Sequence, residues 1–366
     1  MIFSCNDIDL KEALSDISAA LPVHKLSPIL EGIKIEAEGD IVKLTATNMD
    51  FTIIKIIKGD VKMSGEVLVP GSLFIEFIKK LNKDSDVIIS DEESYVVIEC
   101  LDNKTTINKL DIQEYPVVKD YEYKEKVSIL KSEFKDLINK TSFACNVTDD
   151  NKPVLKGCLL KVEDNTIQSV ALDGFRMAIC KKELDKSYPA IEMNITAKDL
   201  NSIVKLLEND DEKIELCFSD KKLIIEENGL KIISTPIEGR FMNYQSTMPK
   251  SFETEITVNK KILESCVDRV GILSRFEKTN LIKLEVKSNI LNISSTSEIG
   301  NAQENINVLT KGKDTLVGYN SNYIAECLKH IDDEYIVLKM NYTAPSIITG
   351  VENSEYNFLI LPVRFR

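Results

Sequence analysis

Histidine is nearly absent from this chain of 366 residues, which contains only His24 and His330. Two imidazoles are too few for a His-based zinc site or a serine-type catalytic triad. The eight cysteines lie far apart, with no Cys-X-X-Cys pair. That spacing suits isolated reduced thiols in a core better than a disulfide framework or a metal site. No stretch approaches the roughly 18 uncharged apolar residues of a membrane span. The first residues, MIFSCNDIDL, carry Asp where a secretory leader would carry Lys or Arg, so a cytoplasmic protein is expected. Lys311-Gly312-Lys313-Asp314 lacks both the upstream glycine and the hydroxyl residue of a P-loop. Positive charge is in deficit as well, with 46 Lys plus Arg against 59 Asp plus Glu and a net charge of −13. This argues against a basic coat for wrapping nucleic acid but leaves open where the positive charges sit. What the chain does have is apolar residue, 43% of the total, which excludes disorder and suffices for two or three domains.

Those apolar residues recur with a long period. A quartet at i, i+3, i+4, i+7 puts one stripe on one face of a helix. It occurs as Leu10, Ala13, Leu14, Ile17 and as Phe74, Phe77, Ile78, Leu81. It returns as Leu200, Ile203, Val204, Leu207, as Leu263, Cys266, Val267, Val270, and as Ile324, Cys327, Leu328, Ile331. A degenerate copy, Phe134, Leu137, Ile138, ends on Thr141. The starts at 10, 74, 134, 200, 263 and 324 are about 63 residues apart. Asn6, Thr196, Asn259 and Asn320 stand four positions ahead of their quartets as N-caps, and Pro70 fills that place as a first-turn residue. The windows 6–21, 70–81, 130–145, 196–207, 258–273 and 319–331 are therefore predicted helices.

Between helices the period falls to two, giving roughly four strands per helix, for example Ile33 to Ala37, Ile41 to Ala46, Phe51 to Ile57 and Glu66 to Val69. One helix with a small antiparallel sheet has an apolar face left to bury, so the units are expected to pair into domains of about 125 residues. Three such domains fill the chain, at 1–125, 126–249 and 250–366. Echoes support the pairing: Ala46-Thr47-Asn48 recurs as Ala171-Leu172-Asp173, and Tyr115-Pro116 corresponds to Phe241-Met242. No Gly/Ser-rich or Pro-rich linker intervenes, so edge-to-edge packing of the domains is expected. The fold class is α+β.

Charge is unevenly spread over these elements. The helical windows hold 12 basic and 11 acidic residues, while the remainder holds 34 and 48. Nearly opposite the apolar stripe lie Lys79, Lys198, Lys205, Lys261 and Lys329, with Asp268 the only acid. Neighbouring acids could pair with some of them, as Glu76 with Lys79. Two readings follow, a solvated mixed-charge face or a mildly basic helical surface on an acidic body.

Catalytic arrangements are thin. Asp173-Gly174-Phe175-Arg176 admits a reading as an acid/base site of a cytoplasmic enzyme, but an Asp-Gly turn between strand-like segments is more often a hairpin. No metal or cofactor is indicated.

Five segments in register resemble the bacterial DNA polymerase III beta subunit family, the sliding clamps. They are Leu-Ser-Pro-Ile-Leu-Glu-Gly at 26–32, Thr-Ala-Thr-Asn-Met-Asp at 45–50, Ala-Leu-Asp-Gly-Phe-Arg-Met-Ala at 171–178, Glu-Gly-Arg-Phe-Met-Asn-Tyr at 238–244 and Leu-Ile-Leu-Pro-Val-Arg at 359–364. The resemblance spans the chain in order. It implies three tandem clamp domains, each two helices on antiparallel sheets. A head-to-tail homodimer would then close a ring around double-stranded DNA with helices inside and sheets outside, as a non-catalytic processivity factor. The implied partners are the DNA polymerase III catalytic subunit, the clamp loader, and repair polymerases and ligase.

Carried over position by position, the partner-peptide groove would comprise Leu155, Leu172, Gly174, Phe175, Arg176 as a rim donor, Met177, Met242, Thr247, Thr343, Pro345 and Ser346. The tail Leu359, Ile360, Leu361, Pro362, Val363 and Arg364 completes it. Leu172, Phe175 and Met242 depart from the family's usual Thr, His or Tyr, and Pro, which alters the expected pocket shape and peptide preference. The resemblance also implies Ile107, Ile272 and Leu273 at the subunit contact. It adds Lys25 and Lys152 on DNA-approaching segments to the five helix lysines.

Overall fold

A computed structural model describes residues 1–22, 27–81, 85–119, 121–146, 148 and 151–365. Six α-helices occupy the six predicted windows: α1 (Asp7–Ile17), α2 (Gly71–Lys79), α3 (Lys131–Asn139), α4 (Ala197–Leu206), α5 (Lys260–Ser274) and α6 (Ser321–Lys329). Their starts follow from the caps. Asn6 accepts from the Ile8 amide at 2.9 Å, Asn259 from Ile262 at 3.2 Å, Asn320 from Asn322 at 3.0 Å and Thr196 from Asp199 at 3.0 Å. Each such bond satisfies an amide that the first turn leaves open, and is worth about 1 kcal/mol. Pro70 fills the cap place that the spacing gave it, just ahead of the first turn. It is the N-cap of α2 and makes no side-chain cap bond, while the Gly71 amide donates instead to the Glu31 carbonyl at 2.9 Å.

The quartets are buried throughout, apart from half-buried Phe77 and Val204. Removing each such side chain from water contributes about 1.5–3 kcal/mol, which is why the stripe rather than helix propensity sets these elements. The degenerate quartet has a local explanation. Thr141 lies just beyond α3, fully buried, and its hydroxyl bonds the Leu137 carbonyl at 2.8 Å and Ser169 Oγ at 2.7 Å.

The chain divides into two compact units, Met1–Lys131 with Lys205–Pro236, and Ser132–Val204 with Ile237–Arg366. The first unit holds two sheets in which every pairing is antiparallel. One has the order Asp60–Met63, Ile2–Asn6, Asp86–Asp91, Tyr95–Cys100, Asn103–Asn108. The other runs Glu125–Leu130, Lys213–Phe218, Leu223–Glu227, Leu230–Ser234, Phe51–Lys58, Ile41–Thr47, Gly32–Glu38, Gly65–Pro70. In it the pairing of Leu230–Ser234 with Phe51–Lys58 joins segments that the sequence places in the middle and first domains.

The second unit repeats the scheme. A seven-stranded sheet runs Gly157–Leu172, Arg176–Thr196, Tyr356–Ile360, Ser346–Gly350, Tyr335–Met340, Thr254–Asn259, Leu309–Gly312. A four-stranded sheet runs Gly300–Asn307, Ile290–Ser297, Leu281–Lys287, Thr315–Asn320. Here Arg176–Thr196 pairs with Tyr356–Ile360, again across an expected domain boundary. Edge-to-edge pairing within each unit satisfies strand edges that would otherwise be left open. All eight cysteines are buried and free, as the spacing suggested, but Cys145 and Cys158 are not isolated, their sulfurs lying 3.6 Å apart.

Candidate functional site

The second unit contains the hairpin that the sequence left between two readings. Gly157–Leu172 and Arg176–Thr196 are its arms, with Leu172 opposite Met177. Asp173 Oδ1 accepts from the Phe175 amide at 2.8 Å and the Arg176 amide at 2.9 Å. Gly174 has φ +96°, a conformation in which a Cβ would be strained. Asp173 is thus a turn-forming residue, and its other oxygen accepts from Arg176 Nε at 3.0 Å.

An apolar floor is built beside this turn. Leu159, Val170, Leu172, Met177, Tyr244 and Leu359 form one buried cluster, with Leu155, Ile179, Phe241, Met248 and Leu361 packed on it. Side-chain alternation along a strand decides membership. Leu359 faces the cluster, whereas the next residue, Ile360, is buried outside it. Around the floor Phe175 is 61% and Met242 45% exposed, and Thr247, also exposed, donates its hydroxyl to the Tyr244 carbonyl at 2.6 Å.

A cleft of about 420 Å³ continues past Leu361, lined by Leu316, Val317, Gly318, Tyr342, Thr343, Leu361, Pro362, Val363, Arg364 and Phe365. Its tail wall is held by main-chain bonds, Leu361 N to Phe175 O at 2.9 Å and Val363 N to Gly318 O at 2.8 Å. Gly318 permits this close approach, since a Cβ there would lie 2.6 Å from the Phe365 ring and 2.8 Å from Val363 O.

Three groove assignments change in character. Arg176 is not a free rim donor: its side chain is 9% exposed and bonds Asp173, Glu326 and, at 2.8 Å, the Phe143 carbonyl. Its guanidinium also lies 4.7 Å from the Tyr323 ring centroid and 5.4 Å from that of Phe143. Ser346 is buried and shares a 2.6 Å hydrogen bond with Tyr319, and Ile360 is buried too, so neither offers surface to a peptide. Pro345 is half-buried. Leu159, Val170, Tyr244, Phe241, Met248, Leu316, Gly318, Tyr342 and Phe365 were not singled out from sequence. Phe241, Tyr244 and Phe365 lie inside or beside quoted segments, and strand parity with Leu172 is the signal that would have found Val170.

The first unit carries the same turn frame with a different lining. Asn48 Oδ1 accepts from the Asp50 and Phe51 amides at 3.1 and 2.8 Å, and Met49 has φ +81°. Thr235 N donates to Asp50 O at 2.8 Å, as Leu361 does to Phe175. However, Thr47, Thr52 and Thr235 stand where the second unit has Leu172, Met177 and Leu361, and Thr47 and Thr52 share a 2.6 Å hydroxyl bond. That hydroxyl pair replaces two apolar side chains, while on the same sheet Cys217, Ile224 and Ile233 form a buried cluster on which Val118, Tyr121 and Tyr123 pack, and a pocket of about 660 Å³ is lined by Ile54, Ile56, Val118 and Leu230 among others.

The helix lysines form a second feature. Lys79, Lys198, Lys205, Lys261 and Lys329, and Lys152 ahead of the 3-10 turn Pro153–Lys156, are exposed. None forms an ion pair among the described residues, whereas many sheet lysines do, such as Lys62 with Asp60 at 2.6 Å and Lys104 with Glu99 at 2.7 Å. Glu76 pairs with Lys80 at 2.9 Å instead of Lys79, because i,i+4 spacing brings these side chains together with better geometry. Lys25 lies outside the described residues.

For the subunit contact, Ile272 is 54% exposed near the end of α5, Leu273 is half-buried, and Phe276 beyond them is exposed. Beside Leu273 runs Gly300–Asn307, an edge strand. Ile107 is only 4% exposed. It anchors another edge strand, Asn103–Asn108, from inside and offers almost no contact surface. Among the described residues Glu208, Asp210 and Glu227 could group around a cation. The Lys131 ammonium, bonded to Asp210 at 2.7 Å and to Glu227, already supplies that charge.

Three family models match the chain end to end. They describe the N-terminal domain of the DNA polymerase III beta subunit over residues 1–119, its central domain over 128–243 and its C-terminal domain over 245–364. The beta sliding clamp of Staphylococcus epidermidis is 27% identical over 362 residues, covering 96% of both chains. That of Staphylococcus aureus is 26% identical over the same share. The crystal structure of the DNA polymerase sliding clamp from Bacillus subtilis, 27% identical, superposes over 100% of both chains with a TM-score of 0.95.

Proposed function

The chain belongs to the DNA polymerase III beta subunit family, and from that premise we propose that it is the sliding clamp that tethers the replicative polymerase to DNA. The match of all three domain models in order, over nearly the whole chain, carries this reading. Three clamp domains make up the chain, and we place their limits at 1–125, 126–249 and 250–366. Two chains head to tail would then set twelve helices around duplex DNA.

The physics of such a ring asks for weak contact rather than tight grip. Topology provides retention, so the lining need only offset phosphate repulsion. Exposed lysines without acidic partners on the helices can do this, since their field is screened within about 8 Å at physiological salt and carries no sequence preference. The acid excess on the remaining chain discourages DNA from adhering elsewhere. The floor around Leu172, Met177 and Leu359, with its cleft at Leu361, suits aliphatic and aromatic anchors of a partner segment. Partners of this groove would include the polymerase catalytic subunit, the clamp loader, and repair polymerases and ligase. Closure would bring the open edge Gly300–Asn307 of one protomer to the open edge Asn103–Asn108 of the next, with Ile272 covering the seam.

A catalytic reading centred on Asp173 and Arg176 has no support, since both side chains are engaged in forming the turn, and a clamp of this family is a processivity factor rather than a catalyst. The decisive experiment loads the protein on nicked circular DNA. Retention on the circle and loss after linearisation are expected; equal loss from both forms would refute the encircling mode.

A further inference from the structure

Arg176 joins the hairpin turn to α6, and the contact on α6 is Glu326, one of the acids that neighbour the helix lysines in sequence. Of the three bonded arms of Arg176, those to Asp173 and to the Phe143 carbonyl stay near the turn, while the third reaches the carboxylate of Glu326. One α-helical turn earlier, Tyr323 faces the same guanidinium and stacks on Phe175, with ring centroids 6.4 Å apart. Phe175 in turn accepts the main-chain bond that holds Leu361. The wall of the groove is therefore fixed from α6 through one ion pair and the Tyr323 ring, and the carboxylate of the pair is 46% exposed.

We propose that Glu326 is a positioning residue for the partner groove: by holding Arg176 it fixes the orientation of Phe175 and the Leu361 tail, and so sets partner affinity without being needed for the fold. The inference rests on the groove reading given above. Without Glu326, the Arg176–Asp173 pair is still neutral and bonded, so no buried charge is stranded and the hairpin keeps its turn. What is lost is the charged tether between the turn and α6, leaving the weaker ring contacts of Tyr323 with Arg176 and Phe175. Glu326 also borders a crevice between α5 and α6 together with Lys329, so the same helix presents one side to the groove and another to the lysine-bearing face.

The test measures binding of the DNA polymerase III catalytic subunit to immobilised full-length protein, with thermal melting alongside. Glu326→Ala is expected to bind about tenfold more weakly, the scale of coupling between residues in one ion-pair network, with its melting curve unchanged. Glu326→Gln, isosteric but neutral, is expected to fall between, and Glu326→Asp to recover most of the affinity. Because Glu326 acts through Arg176, the double variant with Arg176→Ala should be no weaker than Arg176→Ala alone. A Glu326→Ala affinity within twofold of wild type, or losses that multiply in the double variant, would overturn the proposal. Leu361→Glu serves as the groove control. If it weakens binding while Glu326→Ala does not, only the positioning role falls. If Leu361→Glu leaves binding intact, or wild type does not bind, the groove reading itself is wrong and the proposal falls with it.

Discussion

The sharpest test of the helix-face reading replaces Lys79, Lys198, Lys205, Lys261 and Lys329 together by Gln. Five positive charges per chain are removed, taking the net charge from −13 to −18. Because none of the five has an acidic partner among the described residues, no carboxylate is left uncompensated. Each exposed site should alter stability by no more than about 0.5 kcal/mol. Their effect should appear in DNA binding instead. Each phosphate that is no longer neutralised lowers the slope of log K against log salt by about 0.9, so five set an upper bound near 4 to 5 per protomer. Lysines farther from the duplex than a Debye length of about 8 Å contribute less. The assay is binding to closed circular DNA over a salt series, with melting measured in parallel. The control set Lys62, Lys104, Lys126 and Lys287, each paired with an acid on a sheet, should leave the slope unchanged. Equal slopes for the two variant sets, or no change in the helix set, would show that these lysines are ordinary solvated surface.

Other consequences are equally direct. Ile272→Asp places a charge on the exposed end of α5 and should shift the sedimentation mass from twice 41.3 kDa to one chain; a dimer that persists would remove Ile272 from the contact. Burial by itself would raise the Asp333 carboxyl, but the Tyr356 hydroxyl at 2.7 Å and the Glu352 and Asn353 amides override it and hold it below its ordinary 3.8. A carboxylate with a lowered folded pKa stabilises the fold above its unfolded value and loses that contribution as pH falls through the folded one. Tyr356→Phe should therefore cost about 1–2 kcal/mol at neutral pH, shrinking as pH falls below about 3.8, and a cost that does not depend on pH would contradict it. Glu304, held by Arg269 down to about 2, should add to the same acid-side loss between pH 4.5 and about 2. The thiols of Cys5, Cys180, Cys266 and Cys327 are pushed up to about 12, chiefly by burial. Thiol titration should find no fast-reacting group in the native chain and eight after denaturation, and any rapid native reaction would indicate local opening.

Much of this was legible before any coordinates, for a definable reason. A helix that must bury one stripe writes that need into spacing, so six quartets and their Asn and Thr caps located six helices. Period-two runs located strands between them. The turn at Asp173-Gly174 was legible because few residues accept its backbone geometry. The rim-donor expectation was altered by an interaction that spacing does not encode: Arg176 turned inward to Glu326, a residue 150 positions away. The groove residues themselves came from resemblance, and their chemistry taken alone would have read as core.

Local pattern thus accounts for which segments are helix or strand and which face each one buries, since burial acts on neighbours three, four or two residues apart. Which strand meets which edge was decided only in three dimensions. Thr47, Thr52 and Thr235 share the frame of Leu172, Met177 and Leu361, yet which side chains of other strands join them on that face is not written locally. That is decided where distant strands pair, because an apolar floor exists only when side chains from separate segments converge on one face.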